Sequence, residues 1–320
     1  MSLGVEYVTQ PLPTGGQRLL YRVLKVVFRL IAALPRPWVN SAAGRLSGLW
    51  WRIDGRHRQV AMENLAAAYP EKDAAWVENM ARSVFRNLAV VALELPYLFN
   101  LTEENLGRMV RFAGQHNLIE AISKGRGVVL VSAHLGNWEM LGRLFSIISK
   151  QPTLMITRVL DNPAMHRLVY ECRSGTGSVA VPKEKSGTHI LRVLGQGGVV
   201  ALLLDQNAAW FEGVYVTFFN RKACTNKGPT KLAMMTGSLV VPLFCIRQPD
   251  GMYRLTCEKA VEMVRTGNDD DDLEVNTQRL NDILEKWIRE TPEQWLWVHR
   301  RWRVLPIPDE ARKKIRNPPE

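Results

Sequence analysis

VVLVSAHLGNWE, residues 128–139, sets an apolar run, a histidine and a carboxylate in immediate succession. Val128, Val129, Leu130 and Val131 follow Lys124-Gly125-Arg126-Gly127, the pattern of a short buried strand. His134 then falls where a strand ends and a helix begins, with Gly136 and Asn137 between it and Glu139. In open α/β sheets ligands bind at the carboxyl ends of the strands. An imidazole there, with a carboxylate about one helical turn further on, is a candidate general base with an orienting partner. A histidine that merely hydrogen-bonds a neighbouring carbonyl in a strand–helix turn would give the same spacing, so the motif alone leaves both readings open.

Outward from this stretch the texture is α/β. Further strands are expected over 153–156, 199–204, 239–246 and 253–257, and helices over 137–149, 164–172, 187–195, 230–236 and 273–289. The acidic run at 269–272 reads as a solvated loop that also suits the positive end of the following helix. Upstream, residues 59–109 carry a helical pattern in which Phe85, Leu88, Ala89, Ala92 and Leu93 recur at the helical period and Pro96 closes it. The expected organisation is a loose segment over 1–17, a basic amphipathic region over 18–58, helices over 59–109 packing on the core, and an α/β core over 110–320.

Residues 18–34, RLLYRVLKVVFRLIAAL, place Arg18, Arg22, Lys25 and Arg29 on one stripe and apolar residues elsewhere. That is the pattern of a helix lying in a membrane interface, with the basic side chains reaching headgroups. Trp38, Trp50 and Trp51 strengthen this reading; a surface helix packing on its own domain is the competing one. No apolar run reaches the roughly 18 residues of a transmembrane helix, and no secretory signal is expected. The net charge of +11 over 320 residues suits an anionic surface, an acidic carrier protein or nucleic acid. Cys172, Cys224, Cys245 and Cys257 lack metal spacing and read as reduced, mostly buried thiols. No metal site is expected.

These motifs together resemble a family. His134 and Glu139 in HLGNWE, Arg158 with Asn162-Pro163 in TRVLDNP, Asp205-Gln206 after an apolar run, Phe218-Phe219 leading to Thr225 and Gly228, and the Trp295–Trp297–His299–Arg300–Arg301–Trp302 signature occur in order. In this the chain resembles the late acyltransferases of lipid A biosynthesis, the lauroyl and myristoyl transferases of Gram-negative bacteria, within the lysophospholipid acyltransferase-like superfamily. Two positions depart from the family pattern. Asn220 stands where glycine usually follows Phe-Phe, a residue that still tolerates a left-handed turn. Arg22, Lys25 and Arg29 interrupt the apolar anchor, which favours peripheral attachment over a spanning helix.

The resemblance implies a glycerolipid acyltransferase-like α/β fold, with a central mixed, mainly parallel sheet flanked by helices and a helical N-terminal region. It implies transfer of an acyl chain from an acyl carrier protein thioester, or from acyl-CoA as co-substrate, to a hydroxyl of a lipid A precursor, with no cofactor. The expected location is the cytoplasmic face of the inner membrane, on anionic lipid, and no nucleic acid partner is expected. Another glycolipid, phospholipid or secondary-metabolite acceptor is the alternative, and a basic membrane- or nucleic-acid-binding protein without catalysis is the rival from a different class. Chemically, His134 would take the proton of the attacking hydroxyl and Glu139 would hold the other ring nitrogen, as in a catalytic triad with substrate in place of serine. Backbone amides at Gly136 and Asn137 are candidate oxyanion donors. Arg158 would act at the oxyanion or hold a phosphate of acceptor or carrier. Asp205 would orient Arg158 or the acceptor sugar, or be structural at a strand end. Ser132 is the one nearby hydroxyl to be tested as a nucleophile. The 295–302 segment reads as extended and structural, with Arg300 and Arg301 solvated or ion-paired, and His116, His166 and His189 as incidental.

Overall fold

The computed structural model of the chain describes residues 15–149, 151, 153–174, 178–183 and 186–303. Most of the 1–17 segment expected to be loose therefore lies outside the described residues. Four helices come first: α1 (Gly16–Ala33), α2 (Arg36–Ile53), α3 (Gly55–Ala68) and α4 (Ala74–Glu94). A short α5 (Glu103–Leu106) leads into the α/β part: β1 (Val110–Ala113), α6 (Gln115–Ser123), β2 (Val128–Ser132), α7 (Leu141–Ser149), β3 (Thr153–Thr157), α8 (Pro163–Arg173), β4 (Ser178–Pro182), α9 (Gly187–Gly195) and β5 (Val199–Leu203). A hairpin of β6 (Gly213–Phe218) and β7 (Arg221–Asn226) follows, then α10 (Gly228–Thr236), β8 (Leu239–Arg247), β9 (Tyr253–Cys257) and α11 (Asp269–Glu290).

The main sheet has seven strands in the order β1-β9-β8-β2-β5-β3-β4. All its pairings are parallel except β8–β9. The mixed, mainly parallel sheet is the one expected. Its centre is β2, whose five residues are all buried. Alternation between two covered faces explains why Val128 to Val131 are all apolar. Val129 and Val131 enter one core with Leu65, Phe85, Leu284 and Trp287, whereas Val128 and Leu130 enter the other with Leu118, Leu144, Phe145 and Leu255.

The five expected strands are present; β1, β4 and the β6–β7 hairpin were not anticipated. The helix expected from residue 137 begins as a 3₁₀ turn over Trp138–Met140 and becomes α-helical at Leu141. The acidic run is no loop. Asp269 to Asp272 form the first turn of α11, capped by Asn268, and the buried Asp272 carboxylate accepts from the Thr266 N–H at 2.8 Å. The β6–β7 turn uses Phe219 (φ 50°) and Asn220 (φ 57°), both left-handed. A tight two-residue turn of this kind needs positive φ at both central residues, and Asn220 supplies it without glycine. Phe219 is held there by burial between Tyr69 and Trp297 and by its N–H donating to Glu285 Oε2 at 2.6 Å.

Helix α1 has no buried residue, and Leu19, Val23, Val26 and Leu30 are all more than half exposed. The basic stripe is split, against expectation. Arg22 and Arg29 stay outward, but Lys25 turns inward to Glu171 of α8, its Nζ 2.8 Å from Oε2, beside the Tyr21 hydroxyl. The tryptophans are split too: Trp50 and Trp51 pack edge-on against Phe85, and only Trp38 remains exposed. Among the described residues no helix is long and apolar enough to cross a membrane.

Candidate active site

Strand register assembles the site. In the parallel β2–β5 pair Ser132 lies opposite Leu203, and the Leu204 N–H continues the ladder to the Ser132 carbonyl at 2.9 Å. Two residues beyond each partner come His134 and Asp205, at the carboxyl ends of adjacent central strands. Asp205 is 1% exposed and grips His134 twice: Oδ1 is 2.9 Å from His134 Nδ1, and Oδ2 accepts the His134 backbone N–H at 3.0 Å. The Trp295 indole N–H donates to the same Oδ2 at 2.8 Å. Burial alone would push the Asp205 carboxyl up. The facing imidazole and the hydrogen bonds from His134 and Trp295 outweigh burial and hold it below its ordinary value.

The ring-orienting role expected of Glu139 is thus filled here by Asp205. Glu139 instead forms a bidentate pair with Arg173 at the end of α8, with Nε–Oε2 at 2.7 Å and Nη2–Oε1 at 2.6 Å. The Trp138 indole N–H donates to Glu139 Oε1 at 3.1 Å, and the Trp138 ring meets the His134 imidazole edge-on at 5.3 Å. Burial raises the Glu139 carboxyl, but the charge and hydrogen bonds of Arg173, then His134 and Trp138, leave it below its ordinary value. The two carboxylates therefore have distinct attachments: Asp205 fixes the ring, and Glu139 fixes a half-buried cation beside the motif.

The backbone amides expected to serve an oxyanion are already engaged. Gly136 N–H donates to the Gln294 carbonyl at 3.0 Å and Asn137 N–H to the Cys245 carbonyl at 2.9 Å. Gly136 sits at φ +64°, and a Cβ there would lie 2.0 Å from the Cys245 oxygen. Only glycine lets the loop pass this close. The Asn137 side chain is buried and donates to Glu94 at 3.2 Å. Arg158 is not brought to the histidine: it is 83% exposed at the side chain, and its charged partner is Asp161 at 3.7 Å. Asp205 accordingly does not orient Arg158. Ser132 Oγ is buried with no partner among the described residues, so no base is in place to activate it.

The C-terminal segment is not a strand; it folds as short turns over the loop. Leu296 N–H donates to the His134 carbonyl at 3.0 Å, and Leu135 and Trp295 form an isolated antiparallel bridge. His299 Nε2 accepts the Asn207 N–H at 2.9 Å, and burial pushes this imidazole down to about 4, so it stays neutral. Arg301 is not solvated, and it has no carboxylate partner among the described residues. It is fully buried, donates to the Cys224 carbonyl at 2.8 Å, to Thr225 Oγ1 and to Asn281 Oδ1 at 3.3 Å, and lies over the Phe218 ring. All four cysteines are free and buried, as expected. Arg173, Trp138, Trp295 and His299 are site residues that sequence reasoning missed or gave no role at the site. For Trp295 and His299 membership of the 295–302 signature was a usable signal; for Arg173 there was none.

A histidine held by a buried carboxylate at the carboxyl ends of central parallel strands is the equipment of an enzyme that activates a hydroxyl or a water. Residues 18–304 match the bacterial lipid A biosynthesis acyltransferase family, and the chain belongs to it. It is an O-acyltransferase. It is 26% identical over 288 residues to the lipid A biosynthesis lauroyltransferase of Escherichia coli K12, covering 88% of this chain and 90% of the relative. It is 25% identical over 320 residues to the palmitoleoyltransferase of the same strain, covering 97% and 92%. It is also similar, at 23% over 292 residues and 90% and 92% coverage, to the phosphatidylinositol mannoside acyltransferase of Mycolicibacterium smegmatis.

Proposed function

We propose that this acyltransferase moves a fatty acyl chain from an acyl carrier protein thioester, or from acyl-CoA, to a hydroxyl of a lipid A precursor, with His134 as the general base. The observation that carries the reading is the 2.9 Å contact between His134 Nδ1 and Asp205 Oδ1. With Nδ1–H donated to Asp205, Nε2 is the free basic nitrogen that faces substrate. The acceptor oxygen attacks the thioester carbonyl as Nε2 takes its proton. The tetrahedral intermediate collapses, the C–S bond breaks, and the imidazolium returns the proton to the leaving thiolate. Asp205 stabilises the imidazolium in between. Arg173, clamped by Glu139, supplies positive charge beside the motif. No acyl-enzyme is required.

The protein works at the cytoplasmic face of the inner membrane, attached peripherally. The support for this is the outward apolar face of α1 with Arg22 and Arg29 beside it, continued by the exposed Trp38, Leu46, Leu49 and Ile53 of α2. The similarity to a phosphatidylinositol mannoside acyltransferase favours a second acceptor class, a related glycolipid. Purified protein is incubated with acyl carrier protein thioesters or acyl-CoA and a panel of lipid A precursors and mannosylated phospholipids, with products read by mass spectrometry. The expected result is an acylated lipid A precursor that disappears with His134→Ala. Acyl transfer that survives His134→Ala would sink the base assignment, and transfer to the mannolipid alone would move the acceptor to the second class.

A further inference from the structure

One buried polar cluster lies outside the base and its carboxylate. Glu94, the last residue of α4, is 2% exposed although it carries a carboxylate. Arg36, the first residue of α2, donates to Glu94 Oε1 through Nη2 at 2.9 Å and Nε at 3.3 Å. The Tyr253 hydroxyl donates to Oε2, and Arg36 also lies over the Tyr253 ring. The remaining donor to Oε2 is the side-chain amide of Asn137, at 3.2 Å. A carboxylate taken this far out of water is costly unless its lone pairs are filled. Here they are filled by one cation, one phenol and one amide of the HLGNWE loop.

The position of that amide gives the cluster a second role. Asn137 precedes the 3₁₀ turn over Trp138–Met140, which presents the Trp138 ring to His134 and the Glu139 carboxylate to Arg173. Asn137 is thus the joint between the residues that carry the chemistry. Its backbone is tied to Cys245 and its neighbour Gly136 to Gln294, so the side-chain amide, which donates to Glu94 at 3.2 Å and more weakly to the Tyr253 hydroxyl of the same cluster at 3.4 Å, is what remains to fix the direction in which the turn leaves the loop. We infer that Glu94 is a positioning residue of the acyl-transfer site, acting through Asn137 to hold Trp138 and Glu139 against His134 and Arg173. This rests on the acyl-transfer reading for its kinetic consequence, but its geometric consequence stands without it. Arg36 ties the same carboxylate to the start of α2, directly after the exposed amphipathic α1.

The test uses the full-length protein with Glu94→Gln, Asn137→Ala and the double variant. Displacing reacting groups by about 1 Å costs on the order of a hundredfold in rate, so each single variant is expected to lower kcat by roughly that factor with KM little changed. Because Glu94 acts through Asn137, the double variant is expected to lose no more than Asn137→Ala alone. Additive losses would overturn the inference. A readout independent of the acceptor is the His134 Cε1–H resonance, which lies in the ring current of Trp138. It is expected to move in Glu94→Gln and in Asn137→Ala. It is expected to stay in Asp272→Asn, which removes a buried carboxylate remote from the loop. An unmoved resonance in folded Glu94→Gln overturns the inference whatever the substrate proves to be. Should Glu94→Gln not fold, Asn137→Ala carries the same requirement and the same refutation.

Discussion

Replacing Asp205 with Asn separates the two carboxylates of the site most sharply. The amide is isosteric, and its oxygen can stay where Oδ2 accepts the His134 N–H and the Trp295 indole N–H. The NH2 group then falls at the Oδ1 position, 2.9 Å from His134 Nδ1. Two donors cannot face each other, so Nδ1 must become the acceptor and the proton must move to Nε2. The imidazole then presents a proton to the substrate hydroxyl when it should receive one. The same exchange in the serine-protease triad costs about 10⁴ in kcat, or roughly 5 kcal/mol of transition-state stabilisation. A loss of that order in kcat is expected here, with KM changed little. Losing one charge-assisted bond costs about 1.5–3 kcal/mol of stability, which a melting curve will register without unfolding the protein at assay temperature. Glu139→Gln differs in kind. It leaves the half-buried Arg173 without its anion, so its main effect should be on stability rather than on the tautomer of His134. Steady-state kinetics and thermal melts on the two variants decide the matter. If Asp205→Asn retains kcat within tenfold while Glu139→Gln abolishes it with an unchanged melt, Asp205 is not the partner of the base.

Three other outcomes follow from the geometry. The folded protein holds His299 at about 4 against an ordinary value of 6.5, chiefly through burial; between these limits the unfolded chain binds the extra proton, so stability rises from pH 4 to pH 6.5 by up to about 3 kcal/mol, and His299→Gln should flatten that part of the melting-temperature profile. Gly136→Ala should destabilise the fold and abolish transfer, since the left-handed backbone alone costs about 1–2 kcal/mol and the new Cβ meets the Cys245 carbonyl; native activity in that variant would refute the loop geometry. Vesicles containing anionic phospholipid should float with the protein and lose it when Leu19, Val23 and Leu30 are changed to Ser, whereas co-flotation unaffected by these changes would remove α1 from the membrane contact.

The fold was legible where one force acted alone. β2 is apolar from Val128 to Val131 because both its faces are covered, and a continuous short run has few other readings. The strands that escaped were those where this signal is diluted. In β1 a single position, Val110, is buried, and β7 opens with exposed Arg221 and Lys222. In α1 the periodicity was right, yet it could not say which face turns inward. Glu171 lies 146 residues from Lys25, and only the packing of α1 on α8 brings the pair together. The outward side consequently carries Leu19, Val23, Val26 and Leu30 with Arg22 and Arg29 beside them.

Catalytic geometry was legible in a more limited way, and the assignment of the carboxylates shows why. Glu139 was attractive because it lies five residues after His134, and nearness in sequence is the one distance a sequence displays. Asp205 lies 71 residues away and owes its place to register. Ser132 pairs with Leu203 on an adjacent parallel strand, so the residues two steps beyond each must meet at the same edge of the sheet. Without knowing that β5 sits beside β2, no periodicity could have paired them. The sequence order of the strands even misleads, since β3 follows β2 in the chain but lies on the far side of β5. A short motif therefore identifies the loop that carries the histidine, whereas the carboxylate bonded to that histidine belongs to whichever strand end the topology sets next to it. The arrangement also frees Glu139 for a second task. A single carboxylate bound to both His134 and Arg173 would divide its charge between base and cation, whereas two carboxylates let the ring and the guanidinium each be held at full strength.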